Sequence, residues 1–225
     1  MKRADVAARF AEAGGLGLRP GMRSSATGFD RLGQPRSATP SDRGDNQLNP
    51  DFTPDASKPL TPAAVLVPLV DRPDGLTMLL TQRTDHLEHH PGQVSFPGGH
   101  IDDVDGTPED AALREAEEEI GLQPDRVDIV GRLDDYVTGT GFRIVPVVAF
   151  VEPPFDLDLD PFEVAEVFEV PLEFLLDARN HQHDSRIYKG KRRHFHAMPY
   201  NGYYIWGATA GMIMNLFEFL GGDKA

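Results

Sequence analysis

The apolar residues of the chain fall into short runs beyond its first quarter. Residues 63–70 read AAVLVPLV and residues 76–83 read LTMLLTQR, and the turn-forming letters DRPDG separate the two runs. Apolar runs of this length, bounded by Gly, Pro and Asp, are typical of buried β-strands. Similar patterns predict further strands near residues 126–138, 143–152, 166–172, 184–200 and 202–207.

Three other segments carry a helical pattern. Residues 1–12 are amphipathic, residues 110–121 read DAALREAEEEIG, and residues 208–222 read ATAGMIMNLFEFLGG with glycines that end the helix. Several strands with few helices predict a mixed β-sheet packed by helices, which is an α/β (α+β) architecture.

The first 60 residues differ in composition from the rest of the chain. After the predicted helix, residues 14–59 are rich in Gly, Pro, Ser, Asp and Asn. Segments of this composition bury little apolar surface, so we expect an extended, flexible arm rather than a second domain. The sequence therefore predicts a helix and arm over residues 1–60 and one folded domain over residues 61–225.

Charge and composition narrow the classes of function. The net charge is −14, which argues against a general nucleic-acid binder. No run of 18 apolar residues is present, so we expect no transmembrane helix. The chain has no cysteine, which excludes disulfides, zinc–thiolate sites and thiol catalysis and fits a cytoplasmic location.

The acidic residues concentrate in two windows, residues 102–119 and 152–169. In the helix of the first window, Glu115, Glu118 and Glu119 are predicted to share one face, opposite the apolar stripe. Each like-charged pair at this spacing costs about 0.2–0.5 kcal/mol, and a divalent cation reverses that cost because carboxylates are its preferred ligands. An ordinary solvated helix face is the alternative interpretation.

The ends of this helix carry clear signals. Thr107 can cap its first turn, Pro108 suits the first helical position, and Gly121 suits the end. Arg114 lies four residues before Glu118, so we expect the arginine to hold that side chain in position.

Residues 114–122 read REAEEEIGL and match every specified position in the second half of the Nudix box, R-E-U-x-E-E-x-G-U with U apolar. The first half does not fit, because its glycine and glutamate fall on His100 and Gly106. The longer stretch from residue 79, with LLTQR and GQVSFPGG, resembles the coenzyme A pyrophosphatase branch of the Nudix hydrolases. The resemblance implies an α/β/α sandwich with a mixed sheet. One departure is Glu88, where that branch usually has arginine.

The resemblance also implies the site. Glu115, Glu118 and Glu119 correspond to the glutamates that bind Mg²⁺ or Mn²⁺ in the family, with Glu115 and Glu119 as the inner pair. Arg114 would orient them as a further catalytic residue. The glycine pair Gly98 and Gly99 would let the backbone approach metal or phosphate.

A general base is needed as well, and Nudix enzymes often take it from a glutamate outside the box. Glu163 is the favoured candidate because a loop position just before a strand can reach over the site, and Glu166 or Glu115 are the alternatives. For the substrate, Arg83 and His90, or the neighbouring His89, lie where the branch places its coenzyme A motif.

The implied reaction is divalent-metal-dependent hydrolysis of the diphosphate bond of coenzyme A or its thioesters, which releases adenosine 3′,5′-bisphosphate and (acyl-)phosphopantetheine. The alternatives are hydrolysis of ADP-ribose, NADH or an oxidised nucleotide, and a non-catalytic domain that only binds a nucleotide. The predicted partner is a small nucleotide diphosphate, with neither nucleic acid nor membrane. The sequence leaves the oligomeric state open, and a homodimer is one of the alternatives.

Overall fold

A computed structural model describes residues 1–14, 43–55, 57–87 and 90–222. The helices of these residues are α1 (Arg3–Glu12), α2 (Pro108–Ile120), α3 (Leu172–Leu175) and α4 (Gly207–Phe219). The strands are β1 (Arg43–Gly44), β2 (Thr61–Arg72), β3 (Gly75–Arg83), β4 (Val94–Ser95), β5 (Gly98–His100), β6 (Val127–Arg132), β7 (Tyr136–Val137), β8 (Phe142–Val151), β9 (Val164–Pro171), β10 (Gln182–Tyr188), β11 (Lys191–Tyr200) and β12 (Tyr203–Trp206).

The main sheet is mixed, as the sequence predicts. Its strands run in the order β1-β7-β8-β2-β3-β4, and β5, β6 and β9 pair with β2, β8 and β3 respectively. The long central pair β2 and β8 is parallel, from Thr61 beside Phe142 to Val70 beside Val151. Most of the other pairs are antiparallel, including β2 with β3 across the turn at residues 73–74. Strands β10, β11 and β12 form a separate antiparallel sheet.

Helices cover both faces of the main sheet. On one face, Ala116 and Ile120 of α2 pack with Leu66 and Val147 of the two central strands. On the other face, the buried residues of α1 and α4 pack with alternate residues of the same strands, such as Val67 and Val148. Because side chains alternate across a strand, a fully apolar central strand requires a layer on each face. The predicted α/β/α sandwich with a mixed sheet is therefore confirmed.

Parts of the first 60 residues belong to this packing. Val6 and Phe10 of α1 are fully buried, and the Phe10 ring lies 4.5 Å from that of Phe219 on α4. The guanidinium of Arg3 donates hydrogen bonds to Glu152 and Asp128. The predicted helix at the N-terminus is present, but it is an integral part of the core layer.

The predicted arm is described only in part. Strand β1 pairs in parallel with β7, and Asn49 accepts a hydrogen bond from the backbone of His194 and donates one back to its carbonyl. These contacts hold residues 43–49 against the folded domain, so this part of the segment is not a free extension. Residues 15–42 lie outside the described residues, and the boundary at residue 60 stays a prediction.

We predict that Phe10→Ala lowers the free energy of unfolding by about 3–5 kcal/mol, because it removes a fully buried ring and leaves a cavity between α1 and α4. Urea unfolding followed by circular dichroism measures the change. Glu12→Ala, at a side chain 71% exposed on the same helix, is the matched control and should shift the midpoint little. A wild-type midpoint for Phe10→Ala would show that α1 does not unfold with the core.

No helix among the described residues is long and apolar enough to span a membrane.

Candidate metal-binding and catalytic site

Helix α2 presents its glutamates at one edge of the central strands. The hydroxyl of Thr107 caps the helix by accepting a hydrogen bond from the backbone of Asp110, and Pro108 is the first helical residue. Gly121 ends the helix in the left-handed conformation, at a φ of 68°. These features confirm the ends that the sequence predicts.

The three predicted metal ligands have different environments. The side chain of Glu119 is only 7% exposed, and its carboxylate accepts a hydrogen bond from the backbone N–H of Gly98. That of Glu115 is 18% exposed and lies against Gly99, whereas that of Glu118 is 60% exposed. The three carboxylates keep to the face that the sequence predicts, but that face is not uniformly exposed, since Glu119 is buried on it. Strand β5 covers this side of the helix, and helical periodicity alone does not show such a neighbour.

The glycine pair makes this close approach possible. Gly98 has a φ of 150°, which side-chain-bearing residues rarely adopt, and a Cβ there would overlap the carbonyl oxygen of Ala64. A Cβ on Gly99 would lie 2.6 Å from the carboxyl carbon of Glu115. The absence of side chains at both positions leaves the space that the inner carboxylates occupy, as the sequence suggests.

We predict that Gly99→Ala lowers kcat/KM by about 10–100-fold, the range for disturbing the support of a metal ligand, because the added methyl group displaces the Glu115 carboxylate. Gly106→Ala is the matched control, since its Cβ would meet only the end of the Asp110 side chain, at 3.2 Å. Steady-state kinetics and thermal melting of both variants test this, and an unchanged rate for Gly99→Ala contradicts it.

Arg114 connects the glutamates to the loop before α2. Its Nη1 donates to Glu115 Oε1 at 2.8 Å and to Glu118 Oε2 at 3.0 Å, which confirms the predicted pairing with Glu118. Its Nε and Nη2 donate to both oxygens of Asp105, and Nη2 also donates to the carbonyl of His100. The arginine is thus fixed on several sides and orients two of the three glutamates.

Asp105 is a residue whose role the sequence does not reveal. Its position in an acidic turn is typical of a surface residue, yet its side chain is only 4% exposed and holds Arg114. The hydrogen bonds from Arg114 lower the pKa of Asp105, so the carboxyl stays ionised as the partner of the arginine. The turn at residues 102–105 brings the two together, and the sequence shows only that both are nearby.

The inner carboxylates lack full charge compensation. Burial raises the pKa of Glu119 to about 8, and the charges of Glu163 and Glu115 add to this effect, against the Gly98 N–H and the charge of Arg83. Burial likewise raises the pKa of Glu115, against its contacts with Arg114. Buried oxygen ligands with too little positive charge nearby suit a hard divalent cation, so the residues fit the metal that the sequence predicts.

The ligands do not yet converge on one point. In the part of the chain that the structure describes, no group of three acidic or histidine side chains has the arrangement of a metal site.

Of the two candidate bases outside the helix, Glu163 lies at the site. It ends the turn before β9, its carboxylate is 3.9 Å from the guanidinium of Arg83, and its charge contributes to the raised pKa values of Glu115 and Glu119. Glu166 lies on β9 beside Gln82 and hydrogen-bonds to the hydroxyl of Tyr203 instead. The geometry thus favours Glu163, whose catalytic role stays a prediction.

The two predicted substrate-binding residues have different surroundings. Arg83 ends β3 and reaches the carboxylates, with 3.8 Å between its Nη1 and Glu119 Oε1. His90 is exposed, and its Nδ1 shares a hydrogen bond with the side chain of Gln93 at 2.8 Å. Glu88 and His89 lie outside the described residues. Substrate binding by Arg83 and His90 stays a prediction.

A small cavity lies away from these residues, between β1, β11 and α4. It has a volume of about 100 Å³ and a polar lining that includes Arg43, Asp45 and Asn215. It contains none of the predicted site residues and occupies the sheet face opposite α2.

Comparison with known proteins identifies the family. The NUDIX domain profile matches residues 60–190. The Nudix hydrolase NudL of Escherichia coli K12, itself uncharacterised, is 43% identical over 155 residues, covering 68% of this chain and 80% of the relative. A relative of the same name from Shigella boydii has the same identity and coverage.

Solved structures with similar folds include a Nudix hydrolase of M. smegmatis, RenU, at a TM-score of 0.44 and 26% identity over 50% of this chain and 71% of that one. The NUDIX domain of Shewanella oneidensis NrtR, solved with ADP-ribose, has a TM-score of 0.41 and 22% identity over 58% and 84%. Nudix hydrolases generally use divalent metal ions. The profile match and the identity to NudL together show that the chain belongs to the Nudix family and is a hydrolase of nucleoside diphosphate derivatives.

Proposed function

We propose that this hydrolase cleaves the diphosphate bond of coenzyme A or acyl-coenzyme A, with Mg²⁺ or Mn²⁺ held by Glu115 and Glu119 and, at the exposed edge, by Glu118. The observation that carries the proposal is the buried carboxylate pair beside Gly98 and Gly99. The coenzyme A assignment is supported by the LLTQR and GQVSFPGG motifs, which lead into this same site.

The chemistry follows from the charge of the substrate. A diphosphate repels the water that must attack it, and divalent ions bound at such a site offset that charge and supply a water of lowered pKa. Glu115 and Glu119 hold the positive charge at the buried end of the site. Arg114 keeps Glu115 and Glu118 in position through its hydrogen bonds, and Asp105 anchors the arginine.

Glu163 accepts the proton of the attacking water in this scheme. The water oxygen forms a bond to phosphorus, and the bond from that phosphorus to the bridging oxygen breaks. The bridging oxygen leaves with the other phosphate. The products are adenosine 3′,5′-bisphosphate and phosphopantetheine, or its acyl form.

A substrate panel tests the proposal. The purified protein is incubated with Mg²⁺ or Mn²⁺ and, separately, with coenzyme A, acetyl-coenzyme A, ADP-ribose, NADH and an oxidised nucleotide, and products are identified by mass spectrometry. We expect the coenzyme A compounds to have the highest kcat/KM, and EDTA to abolish turnover. A tenfold or greater preference for any other compound on the panel overturns the coenzyme A assignment.

One observation favours a second substrate class. Glu88 replaces the arginine that the coenzyme A branch usually has, which places a negative charge where a phosphate partner is expected. ADP-ribose, NADH or an oxidised nucleotide is therefore the alternative substrate. A domain that only binds a nucleotide has no need of Glu115 and Glu119, two buried carboxylates whose negative charge is not fully offset by nearby positive groups. The homodimer and the cytoplasmic location remain predictions.

A further inference from the structure

The backbone at the end of β3 aims Arg83 at the catalytic carboxylates. The pairing of β3 with β9 shifts between Gln82 and Arg83, and such irregularities often redirect a side chain beside an active site. The N–H of Arg83 donates to the carbonyl of Gln93, and the N–H of Thr84 donates to that of Glu163. The end of β3 at Arg83 and the turn that ends at Glu163 are therefore joined by backbone hydrogen bonds.

The guanidinium of Arg83 is attracted to these carboxylates without being bonded to them. Its Nη1 is 3.8 Å from Glu119 Oε1 and its Nη2 is 3.9 Å from Glu163 Oε2, whereas charge-assisted hydrogen bonds measure about 2.7–2.9 Å. Among the described residues the side chain makes no hydrogen bond, although it has five N–H donors. Arg114, in contrast, is hydrogen-bonded on several sides.

The position of Arg83 matters because it carries a positive charge close to Glu119, the most buried of the three predicted metal ligands. Its charge counters the raised pKa of Glu119. A divalent cation held by Glu115 and Glu119 would lie within a few ångströms of the guanidinium, and two cations at that distance repel each other strongly. With its side chain 25% exposed and unbonded, Arg83 is free to turn toward solvent.

We propose that Arg83 exchanges one set of partners for another when the metal ion binds. Without a divalent ion it offsets the charges of Glu119 and Glu163, and when the ion binds it turns outward to the oxygens of the diphosphate. This inference rests on the proposed function, and it gives Arg83 a second role beside the substrate contact that the sequence suggests. Arg83 then lowers the affinity of the metal-free enzyme for the divalent ion. It raises the affinity of the metal-bound enzyme for the substrate.

Calorimetric titration of Mn²⁺ without any nucleotide tests the exchange. We expect Arg83→Gln to bind Mn²⁺ about tenfold more tightly than wild type, because a competing cation is removed, and Arg83→Lys to stay near wild type. The KM of Arg83→Gln for the nucleotide substrate should rise at saturating Mn²⁺. Arg72→Gln is the matched control, because Arg72 at the end of β2 pairs with Glu169 on β9. Glu169 lies six residues beyond Glu163, about 20 Å along the chain at 3.3 Å per residue, so the loss of Arg72 should leave Mn²⁺ affinity unchanged.

Mn²⁺ affinity of Arg83→Gln that is equal to or below that of wild type overturns the exchange. So does an equal tightening in Arg72→Gln, which would reflect net charge alone. If Arg83→Gln does not fold, Arg83→Met removes the same charge and the same titration decides. This titration uses no substrate, so it is independent of the proposed function. If Arg83→Gln binds Mn²⁺ more tightly but the wild-type enzyme does not cleave coenzyme A, the proposed function is contradicted and the exchange still holds.

Discussion

Glu119→Gln is expected to lower kcat by about 10²–10³-fold and, at the same time, to make the metal-free protein more stable at pH 8.5. The loss of activity follows because the amide is a poor ligand for a hard cation, and the charge offset by such a cation is worth several kcal/mol in the transition state. The gain in stability follows because a buried carboxylate that must ionise opposes folding.

The dependence on pH is specific. Burial raises the pKa of Glu119 from 4.5 to about 8, so the folded protein holds this proton more tightly than the unfolded chain. The stabilising contribution of the protonated group is complete below about pH 4.5 and is lost as the pH rises through 8. The free energy of unfolding of Glu119→Gln should therefore exceed that of wild type by roughly 2–4 kcal/mol at pH 8.5, with little difference at pH 4.5.

Urea unfolding in EDTA at pH 4.5 and pH 8.5, together with steady-state kinetics, measures both effects. Glu117→Gln is the matched control, since Glu117 is exposed on the same helix and lies outside the site. Saturating Mn²⁺ should stabilise the wild type more than Glu119→Gln. If Glu119→Gln keeps full activity, Glu119 does not hold the metal. If its stability does not rise relative to wild type between pH 4.5 and pH 8.5, burial does not disfavour the ionised form of Glu119.

Glu163→Gln is expected to lower kcat by about 10²–10⁴-fold, the usual contribution of a general base, with little change in the free energy of unfolding. Its side chain is 43% exposed at the end of a turn, so its replacement disturbs no packing. Its charge acts on both Glu115 and Glu119, so it lies near the carboxylate pair that we propose holds the metal.

Glu166→Gln provides the comparison, because Glu166 lies three residues away but bonds to Tyr203. We expect this variant to keep a rate within a few-fold of wild type. Single-turnover kinetics at saturating Mn²⁺ separates the chemical step from metal binding. If Glu166→Gln loses the rate and Glu163→Gln does not, the two glutamates exchange roles, and if both keep it, the base lies within the helix.

Much of the fold could be predicted because its signals are local. The apolar runs of β2 and β3 and the turn between them are short-range patterns, and so are the cap at Thr107 and the terminating glycine at Gly121. The spacing of Arg114 and Glu118 by one helical turn likewise fixes their contact without knowledge of the rest of the chain.

The details of the site could not be predicted in this way. Helical periodicity assigns Glu119 to the side away from the core, but it carries no information about strand β5, which buries the carboxylate. The choice of Glu163 over Glu166 depends on how β9 pairs with β3, and the burial of Asp105 depends on how a turn folds onto Arg114.

The sequence by itself determined the family motif, most of the strands and helices, and the acidic residues that we propose bind the metal, because these depend on neighbours within a few residues. Only the tertiary structure decided which carboxylates are buried, that Arg83 lies between Glu119 and Glu163, and that α1 closes one layer of the core. Those features depend on contacts between distant segments, and burial, which sets the charge balance of the site, exists only once those segments have packed together.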